Sequence, residues 1–422
     1  MKRLDGIWSQ VVSFANLMCA FRKARCGKGL RREVLQFHLH LESELFQLQR
    51  ELDAGVYQPG PFRLFTIYDR KPRVIAAAPF RDRVVHHALL NVIEPSLDRQ
   101  FISDSYACRR GKGVHAAVTR YHHWACTYRY VLKMDIQRYF PSMDHQLLEA
   151  KLEARIRDRR VLDVLSRVIR YSPPGFGTVT YFPGDTLFTP VERRIGIPIG
   201  NLTSQFFANL FLDDVDQYVK HTLRIRPYLR YVDDLIILGS DKGQLAEVRA
   251  AVAERVQVDR LSLHPHKAQV SRTCDGLNVF GYLVFPRGRR LRNDNGHRFA
   301  RKLRRMVSRV RAGRLAWKVA RASICSWLGH AGYADTEGLQ RVMFSQAGFQ
   351  RGMGQGTGCV WSVAGPGTTI QTTCVRQTGT GTPQTTGTTT SDSVSLRPPA
   401  RPLAVSRADV STDVSGVTSG CP

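Results

Sequence analysis

Two adjacent aspartates, Asp233 and Asp234, interrupt a run that otherwise demands extended backbone, RYVDDLIIL at residues 230–238. Tyr231-Val232 on one side and Leu235-Ile236-Ile237-Leu238 on the other are the aromatic, β-branched and apolar types that strands select. The predicted element is a hairpin with the acids at its tip. Neighbouring carboxylates repel and lose hydration when buried, so such a tip needs positive charge beside it. A second run, VLKMDIQRYF, places Asp135 after the same kind of strand-forming residues. Two strand ends delivering carboxylates to one point suit a pair of Mg²⁺ ions, which take oxygen ligands and serve in-line phosphoryl transfer. Solvated acids at hairpin ends are the alternative for either run alone.

Charge indicates the partner. The chain has 62 Lys+Arg against 35 Asp+Glu, a net +27, and residues 1–350 carry +25 of it. That balance calls for a polyanion, and nucleic acid suits it better than a membrane surface. No apolar run approaches the ~18–20 residues of a spanning helix. VVSFANLMCAF near the start is broken by Ser and Asn and runs into FRKAR, unlike a signal peptide. Nine cysteines form no CxxC pair, so a reduced, cytoplasmic protein without disulfides is expected. His122-His123 reads as a basic or packing feature rather than a ligand pair.

Periodicity predicts helices within 4–55, a hairpin over 62–78 turning at Asp69-Arg70-Lys71-Pro72, and a helix over 81–98. A strand over 128–140, a helix over 144–170 and a long helix over 201–223 follow. Beyond the acidic hairpin come a helix near 242–256, short strands in 268–286 and a basic helical block over 294–345. Strands and helices mix without βαβ regularity, which predicts an α+β fold with helices on one face of an antiparallel sheet. The expected divisions are 1–60, a basic helical region; 61–285, the main domain; 286–350, a helical domain; and 351–422, a tail. That tail is rich in Thr, Gly, Ser, Pro and Gln and should be disordered.

With these motifs in this order, residues of about 55–345 resemble the reverse transcriptases. RYVDD matches their Y-x-D-D box and DIQRYF its partner motif. The resemblance implies a right-hand polymerase with fingers, palm and thumb, needing two Mg²⁺ ions (Mn²⁺ as substitute), template RNA, DNA or cDNA, and dNTPs. It implies that Asp135, Asp233 and Asp234 form the catalytic acidic cluster, with the Ile136 carbonyl as a further metal ligand. Lys71 and Arg73 match basic residues that grip the triphosphate. Phe140 falls at the steric gate that leaves no room for a 2′-hydroxyl. Lys267 matches a lysine near the incoming phosphate, able to act as general acid. Phe280, Gly281 and Tyr282 match the hairpin that holds the primer end, and the basic helices match the thumb. Taken singly, Phe140 could be core and the basic turn merely solvated.

The segment GIPIGNLTSQFF carries finer information. Where group II intron enzymes read P-Q-G, this chain has Pro198-Ile199-Gly200, then Asn201 and Ser204-Gln205. That form resembles enzymes of diversity-generating retroelements, which miscopy template adenines. Ile199, Gly200 and Gln205 would then border the nascent pair. Ile199 offers no hydrogen bond for checking geometry, unless it is a packing change without effect on fidelity. The family implies a small basic accessory protein. No N-A-x-x-H or V-T-G element of retron enzymes is found, nor a maturase-like or H-N-H region after the basic helices. Intron-like or retron-like enzymes remain alternatives, as does a nucleic-acid-binding protein with a polymerase fold. In the tail, GTGTPQTTGTTTSDSV read one frame over, with suitable codons, becomes Asn-rich and dense in AAC. The gene's 3′ end is therefore expected to overlap its own template repeat.

Overall fold

The computed structural model describes residues 3–68, 72–171 and 181–345, and beyond these the backbone of strands at 349–350, 358–364 and 369–375. The chain divides into two compact units after Gly288.

The first unit mixes helices with a four-stranded sheet, an α+β arrangement. β1 (Arg63–Tyr68) and β2 (Pro72–Ala77) form an antiparallel ribbon in register Arg63↔Ala77 to Tyr68↔Pro72. β3 (Tyr130–Asp135), β4 (Tyr228–Tyr231), β5 (Asp234–Gly239) and β6 (Gln269–Arg272) build the main sheet in the order β4-β5-β3-β6. All its paired neighbours run antiparallel. β7 (Leu277–Val279) and β8 (Tyr282–Phe285) make a hairpin.

Central strands are apolar because the core covers them. Val131, Leu132, Met134 and Leu235 to Leu238 are all buried. The helix Phe80–Asp98 buries Val84, Val85, Ala88, Leu89, Ile93 and Leu97 at helical spacing. The preceding helices Phe14–Arg25 and Leu41–Asp53 add Leu17, Phe21, Leu45 and Leu48 to the same core.

Several expected boundaries move, each for a local reason. The strand expected to reach residue 140 stops at Asp135. Arg138 takes the left-handed conformation (φ 48°), and the short helix Tyr139–Ser142 follows. The helix expected over 144–170 is two, His145–Glu153 and Arg159–Arg170. Asp158 caps the second by accepting from the Val161 amide at 3.4 Å, as Asp144 caps the first through Gln146 and Leu147. The helix expected over 201–223 comprises Leu202–Phe211, Asp213–Gln217 and a π-turn, Tyr218–Thr222.

β9 (Gly288–Leu291) crosses the division between the units. The second unit contains the helices Asn293–Arg311, Trp317–Ala331 and Glu337–Ser345. Phe299 stacks flat on Trp327 with ring centroids 4.1 Å apart, and Trp327 Nε1 donates to Asn295 Oδ1 at 3.0 Å. Arg301, Lys302, Arg304 and Arg305 are exposed on the first helix, opposite buried Phe299, Leu303 and Met306. After the helices comes an antiparallel meander of β10 (Phe349–Gln350), β11 (Gly358–Ala364) and β12 (Thr369–Val375), of which β11 and β12 fall within the tail expected over 351–422. Thr and Val supply its strand preference. Residues 376–422 lie outside the described residues.

Candidate active site

The main sheet brings the predicted acids together by register. Asp135 ends β3 and Asp234 begins β5, and the two are direct cross-strand partners. Tyr231 pairs with Asp234 on the other side, so Val232 and Asp233 form a two-residue turn. The Ile136 amide donates to the Asp233 carbonyl at 3.2 Å, which ties the turn to the end of β3. The His264 amide donates to the Asp135 carbonyl at 2.7 Å and ties the segment preceding β6 to the end of β3.

Like charges at short range shape the electrostatics. Burial pushes the Asp233 carboxyl up to about 6, with the Asp234 and Asp135 charges adding to the effect and Arg73 opposing it. Burial also raises Asp234, against the pull of Lys133. Two lysines partly neutralise the cluster: Lys267 Nζ pairs with Asp135 Oδ2, and Lys133 Nζ with Asp234 Oδ1 at 3.2 Å. Among the described residues no three His, Cys, Asp or Glu side chains converge closely enough to enclose a metal ion. The donor set itself, three carboxylates on two adjoining strand ends, has the hard-oxygen chemistry that Mg²⁺ requires.

The other expected site residues fall around this point unevenly. Arg73 is exposed on β2 and close enough to lower the Asp233 carboxyl, whereas Lys71 lies outside the described residues. Phe140 is half-buried in the short helix after β3, against Tyr139 at 5.5 Å between centroids. Its carbonyl accepts from the Ile197 amide at 2.9 Å. The Ile199 carbonyl accepts from the Ala76 amide at 3.1 Å, and Asn201 brackets Ala76 and Ala78 through its side-chain amide. Gly200, at φ +115°, lies so close to β2 that a Cβ there would stand 2.7 Å from Ile75 Cγ2. Gln205 is exposed on its helix beside a small pocket shared with Glu94, Cys108 and Arg109. Phe280 and Gly281 form the tight β7–β8 turn, both at positive φ. The Phe280 ring lies 4.5 Å from that of Tyr231, and the Tyr282 hydroxyl meets His115 Nε2 at 3.0 Å.

Three contributors were not singled out from the sequence. Lys133 also donates to the Asn278 carbonyl at 3.3 Å, linking Asp234 to the β7–β8 hairpin. Its signal was available: two residues before Asp135, on the same strand face. Val232 has φ +56°, and Arg230 is buried beneath it, which strand periodicity alone does not reveal.

Residues 68–330, more than half of the chain, match the family described as reverse transcriptase (RNA-dependent DNA polymerase). Protein YkfC of Escherichia coli (strain K12) is 27% identical over 296 residues, 60% of this chain and 74% of YkfC. Group II intron-encoded protein LtrA of Lactococcus lactis subsp. cremoris is 21% identical over 181 residues, 42% of this chain and 28% of LtrA. The putative COX1/OXI3 intron 2 protein of Saccharomyces cerevisiae is also 21% identical over 181 residues, covering 20% of its length. This chain thus spans most of YkfC but well under a third of those two intron proteins. With its acids gathered at adjoining strand ends and its family match running through them, the chain belongs to the reverse transcriptases.

Proposed function

We propose that this chain is an RNA-directed DNA polymerase of the diversity-generating type, copying a template-repeat RNA into cDNA with errors at adenines. The polymerase reading is carried by the register that sets Asp135 opposite Asp234 with Asp233 in the adjoining turn. In this reading the β1–β2 ribbon belongs to the fingers, the four-stranded sheet to the palm and the basic helices to the thumb. Asp135, Asp233, Asp234 and the Ile136 carbonyl would hold two Mg²⁺ ions, or Mn²⁺ as substitute. Bound there, the ions supply positive charge for the attacking 3′-hydroxyl and the leaving pyrophosphate.

The remaining work belongs to the chain. Lys71 and Arg73 grip the triphosphate by charge-assisted bonds. Phe140 excludes the 2′-hydroxyl, Lys267 gives a proton to the leaving group, and Phe280 to Tyr282 seat the primer end. The exposed arginines of helix Asn293–Arg311 bind backbone phosphates without reading sequence. A small basic accessory protein completes the assembly in a cytoplasmic setting, and the tail reflects overlap of the gene with its template repeat.

The diversity-generating type rests on Ile199, which puts an apolar side chain where intron enzymes carry Gln. A group II intron-like enzyme is the second reading, favoured by the names of the intron-encoded relatives. Sequencing cDNA made on a defined RNA separates them. The proposal expects substitutions concentrated opposite adenines and a severalfold reduction with Ile199→Gln. Even fidelity at all four template bases favours the intron-like enzyme. Unchanged adenine error in the variant removes Ile199 from the account.

A further inference from the structure

The turn that carries Asp233 stands on a buried guanidinium. Arg230 of β4 and Asp216 both have 0% side-chain exposure. Arg230 Nε donates to Asp216 Oδ1 at 2.8 Å and Oδ2 at 2.9 Å, and Nη2 donates to Oδ2 at 2.7 Å. The other side of the same plane serves the turn: Nη1 donates to the Val232 carbonyl at 3.1 Å and to Asn209 Oδ1 at 3.3 Å. The Tyr228 hydroxyl donates to Asp216 Oδ1 at 2.5 Å, and Asn209 Nδ2 to the Ala107 carbonyl at 2.8 Å. The Arg230 backbone is held separately, its amide by the Asp104 carbonyl at 3.0 Å and its carbonyl by the Tyr106 amide at 3.0 Å.

A buried ion pair is a poor device for stability alone, because a well-packed apolar pair of similar volume often does as well. What an apolar pair cannot supply is a donor to the Val232 carbonyl. Val232 sits in the left-handed region at φ +56°, a conformation a β-branched residue keeps only when its surroundings over-determine it. The planar fork of arginine reaches Asp216 and the turn together, whereas a lysine ammonium is one compact charge. We propose that Arg230 is a positioning residue, holding Val232 in its strained conformation and so aiming the Asp233 carboxylate at Asp135. This role rests on the polymerase reading above.

The test compares wild type with Arg230→Lys and with the paired replacement Arg230→Met/Asp216→Leu. Melting temperature, primer–template affinity, kcat, and the rise in melting temperature on adding Mn²⁺ are read for each. The expected result is a paired variant with near-wild-type melting temperature and nucleic-acid affinity, a kcat lower by about 10²-fold, and a diminished Mn²⁺-induced rise. Arg230→Lys keeps the charge and should lose kcat and the Mn²⁺ response in the same way, which carries the test should the paired variant fail to fold. Wild-type kcat in either folded variant overturns the positioning role. Absence of RNA-templated extension by the wild-type chain instead overturns the polymerase reading.

Discussion

Asp233 lies half-buried in a turn among two other carboxylates, and its carboxyl shifts from the usual 3.8 to about 6. The folded chain keeps that proton through a pH range in which the unfolded chain has released it. Stability from this group therefore declines as pH rises from 3.8 to about 6 and is lost above that. A cation bound to the carboxylate reverses the penalty, and protons compete with it. The rise in melting temperature caused by Mg²⁺ should thus be larger well above pH 6 than below it, and Asp233→Asn should flatten the difference. A rise independent of pH in wild type would contradict this. The three acids were legible because carboxylates at the ends of apolar strands need explaining. Arg230 was not, since an arginine in a strand ordinarily faces water. Its burial depends on Asp216, brought beneath it by the fold. The three acids of LFLDDVD were the available signal, since that apolar helix cannot turn all of them to solvent.

The helix Phe80–Asp98 packs against the helices Phe14–Arg25 and Leu202–Phe211, and it buries His86 at 3% exposure. Burial lowers that imidazole to about 3, with His87 and Arg83 adding to the effect. The unfolded chain takes up this proton below about 6.5, while the native chain does not until about 3. Stability should therefore fall on acidification through that interval, by up to about 1.4 kcal/mol per pH unit from this group. Replacing His86 with Leu should make urea-unfolding free energies less sensitive to pH between those limits, and an unchanged slope would refute the assignment. Elements were legible where their apolar spacing was long and regular, as in this helix. Boundaries were not, where one residue decides: Arg138 at φ 48° ends the extended run before Phe140, although the side chains that follow still suit a strand. Asp158 is a helix cap that the D-x-x-V spacing could have shown. β11 and β12 formed where composition argued against structure, because Thr favours strands as well as solvent.

Across the whole molecule, charge and chemistry agree. A net +27 suits the polyanionic partner proposed above, and Asp135 and Asp234 face each other at adjoining strand ends. No helix among the described residues is long and apolar enough to cross a membrane. The α+β class was legible from the irregular order of strands and helices. The break of the helix expected over 201–223 into Leu202–Phe211, Asp213–Gln217 and a π-turn was not, because its apolar spacing runs on through the breaks. Template-directed synthesis dependent on Asp135 and Asp233 is the central proposal. Extension of a labelled primer on an RNA template with Mg²⁺ and dNTPs, run for wild type, Asp135→Asn and Asp233→Asn at matched nucleic-acid binding, tests it directly. The account predicts full-length cDNA from wild type and a loss of at least about 10³-fold in either variant. Comparable extension by the variants, or none by a wild type that binds the duplex, would contradict it.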